Sequence, residues 1–189
     1  MKQIFIFLLV STSITSYSQT QADQAEMKRM LEAMTPNDNH TILAGMAGDW
    51  NYTWEMIMPG SPLMESKGEF KNTMILGGRF LQMENTSEGF MGMPLNGLSI
   101  FGYDNRSKKF TIYGVDSWGT YSVYAEGDYD PSTQTFTLFG EDHDPRINKT
   151  QQFQFVYKMI DANTMESEVL FADEEGIWDV VMAVHAIRK

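Results

Sequence analysis

The fold is decided by the stretch GDWNYTWEMIM, residues 48–58, together with the last alternating stretch of the chain. From Trp50 onward every second residue is apolar, and this period of two predicts a β-strand with one buried face. These apolar residues are Trp50, Tyr52, Trp54, Met56 and Met58. The last stretch, residues 177–188, also alternates and ends at Arg188. In a closed barrel the first and last strands are neighbours, so the Arg188 guanidinium can lie across the Trp50 indole.

Eight further strands are predicted between these two, each bounded by Gly, Pro, Asn or Asp. They lie near residues 67–75, 79–87, 97–104, 109–116, 120–129, 134–142, 151–160 and 164–172. Because no helical crossover separates the strands, the sheet is expected to be antiparallel. Closing it into an up-and-down β-barrel of about ten strands removes both exposed edges, and this all-β barrel is the predicted fold. A two-layer sandwich has the same strand spacing and is the alternative.

An internal repeat supports a meander of similar hairpins. Residues 103–114 read Tyr-Asp, five residues, then FTIYG, and residues 129–140 repeat this order as Tyr-Asp, five residues, then FTLFG. In each copy an Asp-led turn reverses the chain and an alternating strand follows it. Successive hairpins of equal length are typical of an antiparallel meander.

The pairing of a Gly-x-Trp motif with a terminal Arg resembles a known signature. Gly48-Asp49-Trp50 at the first strand and Arg188 at the last are similar to the pattern of calycins, the lipocalin and fatty-acid-binding-protein group of ligand-holding barrels. A second, more specific resemblance rests on the runs MILGGRFLQ (74–82), FMGMP (90–94) and GYDN (102–105), with His40 upstream. These look like an uncharacterised bacterial family, domain-of-unknown-function family fifteen seventy-nine. The resemblance covers roughly residues 36–188 and implies a barrel-like domain, not a reaction.

The inward positions of the predicted barrel are rich in aromatic residues, which either line a cavity or fill the interior. The apolar residues predicted to contact a ligand are Tyr52, Trp54, Met56, Phe155, Tyr157 and Trp178. Gln82 and Glu84 are the polar groups expected to orient it. Met91 and Met93 lie in the Gly-punctuated segment 89–97, which forms either a flap over the barrel mouth or a loop on its body.

The last strand has an alternation of its own. Its predicted inward face holds Trp178, Val180, Met182, Val184, Ala186 and Arg188. His185 has the opposite parity, so haem ligation through it is not expected, and no cofactor or metal site is predicted.

The N-terminal residues have the features of an export signal. Lys2 supplies a positive charge, residues 4–10 an apolar core, and Ser16-Tyr17-Ser18 the small residues that precede cleavage, here before Gln19. Helical spacing of Met27, Met30, Leu31 and Met34 predicts a short amphipathic helix, and Asn37-Asp38-Asn39 can cap a second helical turn. The expected organisation is a signal peptide (1–18), a helical lead-in (19–35) and a barrel domain (36–189).

The composition disfavours several classes of function. The 189 residues carry a formal charge of −11 and no Cys, which disfavours nucleic-acid binding and excludes disulfides. No later stretch has the ~20 apolar residues needed to span a bilayer. Hydrolase, nucleotide and metal motifs are absent, so His40, Glu84 and Asp116 are the only catalytic candidates.

The sequence therefore predicts an exported, soluble protein, secreted or periplasmic, that holds a small apolar or amphipathic molecule without covalent chemistry. The alternatives are a hydrolase or isomerase with a His or carboxylate at the barrel mouth, and an interaction module with a filled barrel. Oligomeric state and ligand identity do not follow from the residues.

Overall fold

The protein is described by a computed structural model that covers residues 11–57, 60, 62–90, 92–144 and 148–189, with the backbone alone for residues 11–20. The chain divides into two compact units, residues 1–35 and residues 36–189. The first unit contains helix α1, Ser11–Met34. Its predicted apolar positions, Met27, Met30, Leu31 and Met34, are indeed helical, and each is more than half exposed.

The second unit is a closed antiparallel barrel of ten strands in which each strand pairs with its neighbours in sequence and β1 pairs with β10. The strands are β1 (Gly48–Met56), β2 (Met64–Ile75), β3 (Phe80–Phe90), β4 (Met93–Asp104), β5 (Lys109–Asp116), β6 (Ser122–Asp130), β7 (Thr135–Asp144), β8 (Lys149–Met159), β9 (Thr164–Ala172) and β10 (Trp178–Arg188). This confirms the predicted up-and-down barrel and excludes the sandwich.

Helix α2 (Asp38–Ala44) belongs to the barrel unit and covers one end of it, here called the lower end. Its residues Leu43 and the following Met46 are fully buried in the barrel core. The Met46 carbonyl accepts hydrogen bonds from Trp50 Nε1 (3.1 Å) and Asn72 Nδ2 (3.0 Å). These bonds tie the helix end to β1 and β2, so packed side chains close the lower end, although Asn72 Oδ1 is buried there without a partner.

The barrel closes where Arg188 meets Trp50. The two residues are paired in the β1–β10 ladder, and the guanidinium carbon lies 4.1 Å from the indole centroid. The guanidinium also donates to the carbonyls of Ala162 (2.8 Å), Gly45 (2.9 Å) and Ala47. A side chain at Gly48 would collide with Arg188 Nη1, and this explains the glycine of the Gly-x-Trp motif. One side chain thus joins both ends of the sheet to the chain that follows α2.

The lower half of the barrel is filled by aromatic side chains. Phe136 is fully buried, with ring centroids of Phe101, Phe110 and Tyr129 at 5.1, 4.9 and 4.6 Å. Such edge-to-face and tilted pairs add to the stabilisation from buried area. The interior at this level is therefore core rather than pocket.

The repeat noted in the sequence is a repeat of turn geometry. Asp104 Oδ1 accepts from the Arg106 N–H and Asp130 Oδ1 from the Ser132 N–H, both at 2.8 Å. Lys108 and Gln134, at matching positions of the two copies, both have left-handed backbones, with φ of 60° and 54°. The same side-chain-to-backbone bond therefore starts both lower turns, β4–β5 and β6–β7.

Replacing Arg188 with Ala is expected to lower the free energy of unfolding by about 2–4 kcal/mol. The variant loses the cation–π contact and leaves the carbonyls of Gly45, Ala47 and Ala162 without their donor. Urea denaturation measures the change. Lys189→Ala is the matched control, because its exposed ion pair with Glu69 (2.8 Å) is expected to contribute less than about 1 kcal/mol. Equal losses in the two variants would show that Arg188 does not hold the barrel closed.

The His40 capping contact predicts a loss of stability in mild acid. Its Nδ1 accepts from the backbone N–H of Asn37 (3.0 Å), and burial lowers the pKa of the imidazole from its usual 6.5. Because the folded pKa is below the unfolded one, this stability is present above pH 6.5 and is lost as pH falls below it. In His40→Gln, which keeps a capping acceptor, thermal denaturation between pH 7 and 5 should show a smaller drop in Tm than in the wild type. An unchanged drop would assign the acid sensitivity to other groups.

Candidate functional site

The upper half of the barrel, away from α2, contains a cavity of about 310 Å³. Its walls are mainly the inward side chains of β2–β10, and most of them are apolar. They include Phe70, Met83, Leu95, Val123, Phe153, Phe155, Tyr157, Val169, Phe171, Met182 and Val184. This volume is at the lower end of the range for small-molecule sites, about 300–1,000 Å³.

The cavity exists because small residues occupy inward positions at its level. Gly97, Ser99 and Gly114 face the interior from β4 and β5, and Ser167 faces it from β9. A Cβ at Gly114 would come within 3.1 Å of Ser99 Oγ and 3.2 Å of Val123 Cγ2. Further down the same two strands, the inward positions are taken by the buried Phe101 on β4 and by Ile112 and Phe110 on β5, so the interior changes from hollow to filled along these strands.

An aromatic cluster borders the upper end of the interior. The rings of Phe90 and Trp118 meet edge to face at 4.9 Å, and the Trp54 ring lies 6.2 Å from that of Trp118. Trp54 is held in place by a hydrogen bond from its Nε1 to Ser87 Oγ (3.0 Å). Because Ser87 Oγ also accepts from the Gly89 N–H (2.9 Å), this serine links the β1 wall to the end of β3.

Two polar atoms in the cavity wall have no partner in the described structure. They are Asn85 Oδ1 and Trp118 Nε1, both buried, and both residues line the cavity. Burial raises the pKa of Tyr157 to about 12, so its hydroxyl stays protonated. Unpaired buried polar groups cost roughly 1–3 kcal/mol each, and a ligand that bonds to them would offset that cost.

Five of the predicted contact residues face the interior. Phe155 and Tyr157 line the cavity directly. Tyr52 and Trp54 are buried in the wall, and Tyr52 stacks at 4.1 Å on Phe70, which lines the cavity. Met56 is partly buried and packs against the same core.

The expectation that Gln82 and Glu84 are interior groups is wrong. Leu81 and Met83 are the buried residues of this part of β3, so the two polar residues between and after them point outward. On the outer face Gln82 Nε2 donates to Glu84 Oε1 (2.5 Å). The interior polar residue of β3 at cavity level is instead Asn85, with the same parity as Met83.

The expectation that Trp178 faces inward is also wrong, and the reason is a β-bulge. The β9–β10 register shifts between Val180 and Met182, so parity reverses above this point. Asp179 therefore pairs with the inward Phe171, while Trp178 lies outside against the half-exposed Phe139, with ring centroids 5.9 Å apart. Below the bulge, His185 lies on the outer face, as its opposite parity to Met182 predicts.

In its described residues the segment 89–97 is neither a flap nor a loop on the barrel body. β3 continues to Phe90 and β4 begins at Met93, and these two residues pair across the hairpin. Met93 is 49% exposed, whereas Leu95 lines the cavity. Met91 lies outside the described residues.

The three catalytic candidates do not come together. His40 lies at the lower end, edge-on to Tyr103 with 5.8 Å between ring centroids. Asp116 is at the upper end of β5, and Glu84 is on the outer face. Among the described residues no group of three or more His, Asp or Glu side chains is arranged to hold a metal ion. Nor does the described part of the chain contain a helix long and apolar enough to cross a membrane.

Sequence reasoning missed the residues that give the cavity its polar character and its space. These are Asn85, Trp118, Asp142, Ser99 and Ser167; Asp116, which the sequence offers only as a catalytic candidate, also lines the cavity. The sequence does indicate the inward placement of Asn85 and Asp142, because each lies an even number of positions from a buried residue of its own strand. Trp118 lies in the turn between β5 and β6, where alternation gives no information.

Comparisons with known proteins support the fold. The S-type phycobiliprotein lyase from Guillardia theta has a similar structure, with a TM-score of 0.51 and 10% sequence identity, over 85% of this chain and 96% of its own. A protein of unknown function from the DUF3598 family of Nostoc punctiforme is matched over 79% of this chain and 98% of its own, with 8% identity and a TM-score of 0.26. At 10% identity the first likeness shows the fold alone, and the second is too weak to support an argument. No curated protein sequence matches the chain.

The motifs at residues 74–82, 90–94 and 102–105 resembled one bacterial family, and a family-level match confirms that resemblance. The model of the family described as protein of unknown function DUF1579 matches residues 35–188, which is the barrel unit almost in full. The chain belongs to the DUF1579 family.

Proposed function

We propose that the protein binds a small apolar or amphipathic molecule in the upper half of its barrel, without covalent chemistry. The observation that carries this proposal is the cavity of about 310 Å³ with two unpartnered polar atoms in its wall. Apolar burial would supply affinity at roughly 25 cal/mol per Å², and Asn85 and Trp118 would orient the ligand.

Three features favour a binding cavity over a filled interaction module. Small inward residues, Gly97, Gly114 and Ser167, line the cavity, and side chains do not fill the space they surround. Aromatic rings, which bind apolar ligands at low entropic cost, surround that space. The lower half is densely packed by Phe101, Phe110 and Phe136, so the barrel has the stability to keep its upper half hollow.

Filling the cavity tests the proposal. Ser167→Leu adds an apolar side chain at an inward position of the cavity wall, and we expect it to weaken binding of the neutral fluorescent probe N-phenyl-1-naphthylamine by more than about tenfold. Thermal stability should be unchanged or higher, because the leucine occupies empty space. Fluorescence titration and thermal denaturation give the two quantities.

The matched control is Glu168→Leu, which puts the same side chain at the next position, on the outer face of β9. It should bind the probe like the wild type. Equal binding by wild type and Ser167→Leu, or no binding by the folded wild type, would overturn the proposed function. Mass spectrometry of ligands extracted from protein purified from its native source then identifies the natural occupant.

We also propose that residues 1–18 are an export signal, which would place the barrel in the periplasm or outside the cell. The support is the order of a charged residue, an apolar core and the small residues Ser16 and Ser18. N-terminal sequencing of the exported protein should begin at Gln19. Retention of the first 18 residues on protein recovered from the cytoplasm would contradict the proposal.

A further inference from the structure

The barrel wall has an opening next to the cavity, between the upper halves of β6 and β7. The β6–β7 ladder runs from Asp130–Thr135 to Ala125–Gly140 and ends there. Above it, residues 122–124 pair only with β5, and residues 141–144 pair only with β8. All of these residues are in the described part of the chain, so the interruption is a feature of the sheet itself.

Other ladders of the barrel also stop before the upper ends of their strands, as β8–β9 does at Phe153–Phe171. The β2–β3 ladder also stops early, at Gly68–Ser87. There the inward hydroxyls of Ser66 and Ser87 lie 3.4 Å apart and close the inner side. Between β6 and β7 the flanking inward residues are Val123 and Asp142, and both line the cavity. The cavity therefore reaches the wall at this place.

The charged residues that line the cavity are both acidic. Among the described lining residues they are Asp116 and Asp142, and none is Lys, Arg or His. One carboxylate oxygen of Asp116 already has partners, since Oδ1 accepts hydrogen bonds from the N–H groups of Trp118 (2.8 Å) and Gly119 (3.2 Å). The half-buried carboxylate of Asp142 has no hydrogen bond or ion pair within the described structure. An unpaired carboxylate at the edge of an apolar cavity favours a cation beside it.

Aromatic faces stand at the same end of the cavity. Trp118 and Tyr121 belong to the turn that follows Asp116, and both line the cavity. Tyr121 is 63% exposed and folds over Gly119, whose Cβ position would be 2.6 Å from the Tyr121 ring. Aromatic rings beside carboxylates are the combination that binds organic cations, quaternary ammonium groups in particular.

We propose that the ligand is a cationic amphiphile, whose apolar part lies among the aromatic walls and whose charged end lies at the β6–β7 opening against Asp142 and the rings of Trp118 and Tyr121. This inference rests on the proposed function and names the chemical class of its ligand. The head group stays partly in contact with water there, so its contribution is moderate and decreases with ionic strength.

Three probes with the same tail separate tail binding from head-group selection. They are octyltrimethylammonium, octanol and octanoate, titrated by calorimetry, the two charged probes below their micelle concentrations and octanol below its solubility limit. We expect the ammonium probe to bind about fivefold or more tighter than octanol, and octanoate to bind weaker than octanol. Raising the salt concentration should reduce the difference between the two charged probes.

The decisive variant is Asp142→Asn, with Glu141→Gln as its matched control. Both remove one negative charge from adjacent positions of β7, but Asp142 faces the cavity and the exposed Glu141 faces outward. Asp142→Asn should weaken ammonium binding about fivefold and leave octanol binding unchanged, whereas Glu141→Gln should leave both near wild type. Thermal denaturation verifies that both variants are folded.

The outcomes distinguish the two proposals. If octanol binds but the ammonium probe binds no tighter than octanoate, the cationic class is wrong and the binding cavity stands. An equal effect of Asp142→Asn and Glu141→Gln would assign the preference to the overall negative charge and would also overturn the inference. If octanol does not bind the folded protein, or binds equally to Ser167→Leu, the proposed function itself fails.

Discussion

The contact of Arg188 with Trp50 is the constraint on which the barrel depends. A ten-stranded antiparallel sheet has two edges, and an interior exists only if those edges pair. Here one guanidinium covers the indole of the first strand while donating to three carbonyls, two of them in the chain that leads out of α2. The same side chain therefore both closes the sheet and attaches α2 to it. The glycine at position 48 is required by the same contact, since the guanidinium occupies the space of its side chain.

Closure at the lower end allows the two halves of the barrel to differ. Below, Phe101, Phe110 and Phe136 interlock, and α2 adds Leu43 and Met46 to the same core. Above, the same strands carry Gly97, Ser99 and Gly114 at inward positions. A barrel of this strand number has more interior than its small side chains fill at that level. The sequence therefore encodes the cavity by placing small residues at inward positions of these strands.

Much of the fold could be predicted, because its signals are local and repeated. The ten strands, their order and the meander follow from alternation and turn residues, and the two Asp-led turns share one geometry, as their sequences do. The site was harder to predict. Strict alternation predicts that Trp178 faces inward, but the register shift between Val180 and Met182, which no residue pattern marks, turns it outward. On β3 the pattern does contain the right signal, because the apolar Leu81 and Met83 alternate with Gln82 and Glu84 and take the inner face.

The polar groups of the cavity show why such sites are difficult to read from sequence alone. Asn85 and Trp118 each leave a buried polar atom unpaired, which lowers the stability of the empty protein. Asp142 adds a carboxylate with no partner at an interrupted part of the sheet. A protein selected only for stability would replace these residues with apolar ones, and it would fill the space beside Ser167. Two of the three buried polar atoms without a partner among the described residues lie in the upper half of the barrel, as does the unpaired carboxylate of Asp142 beside the interrupted β6–β7 pairing. A binding site requires such costs and a structural core does not.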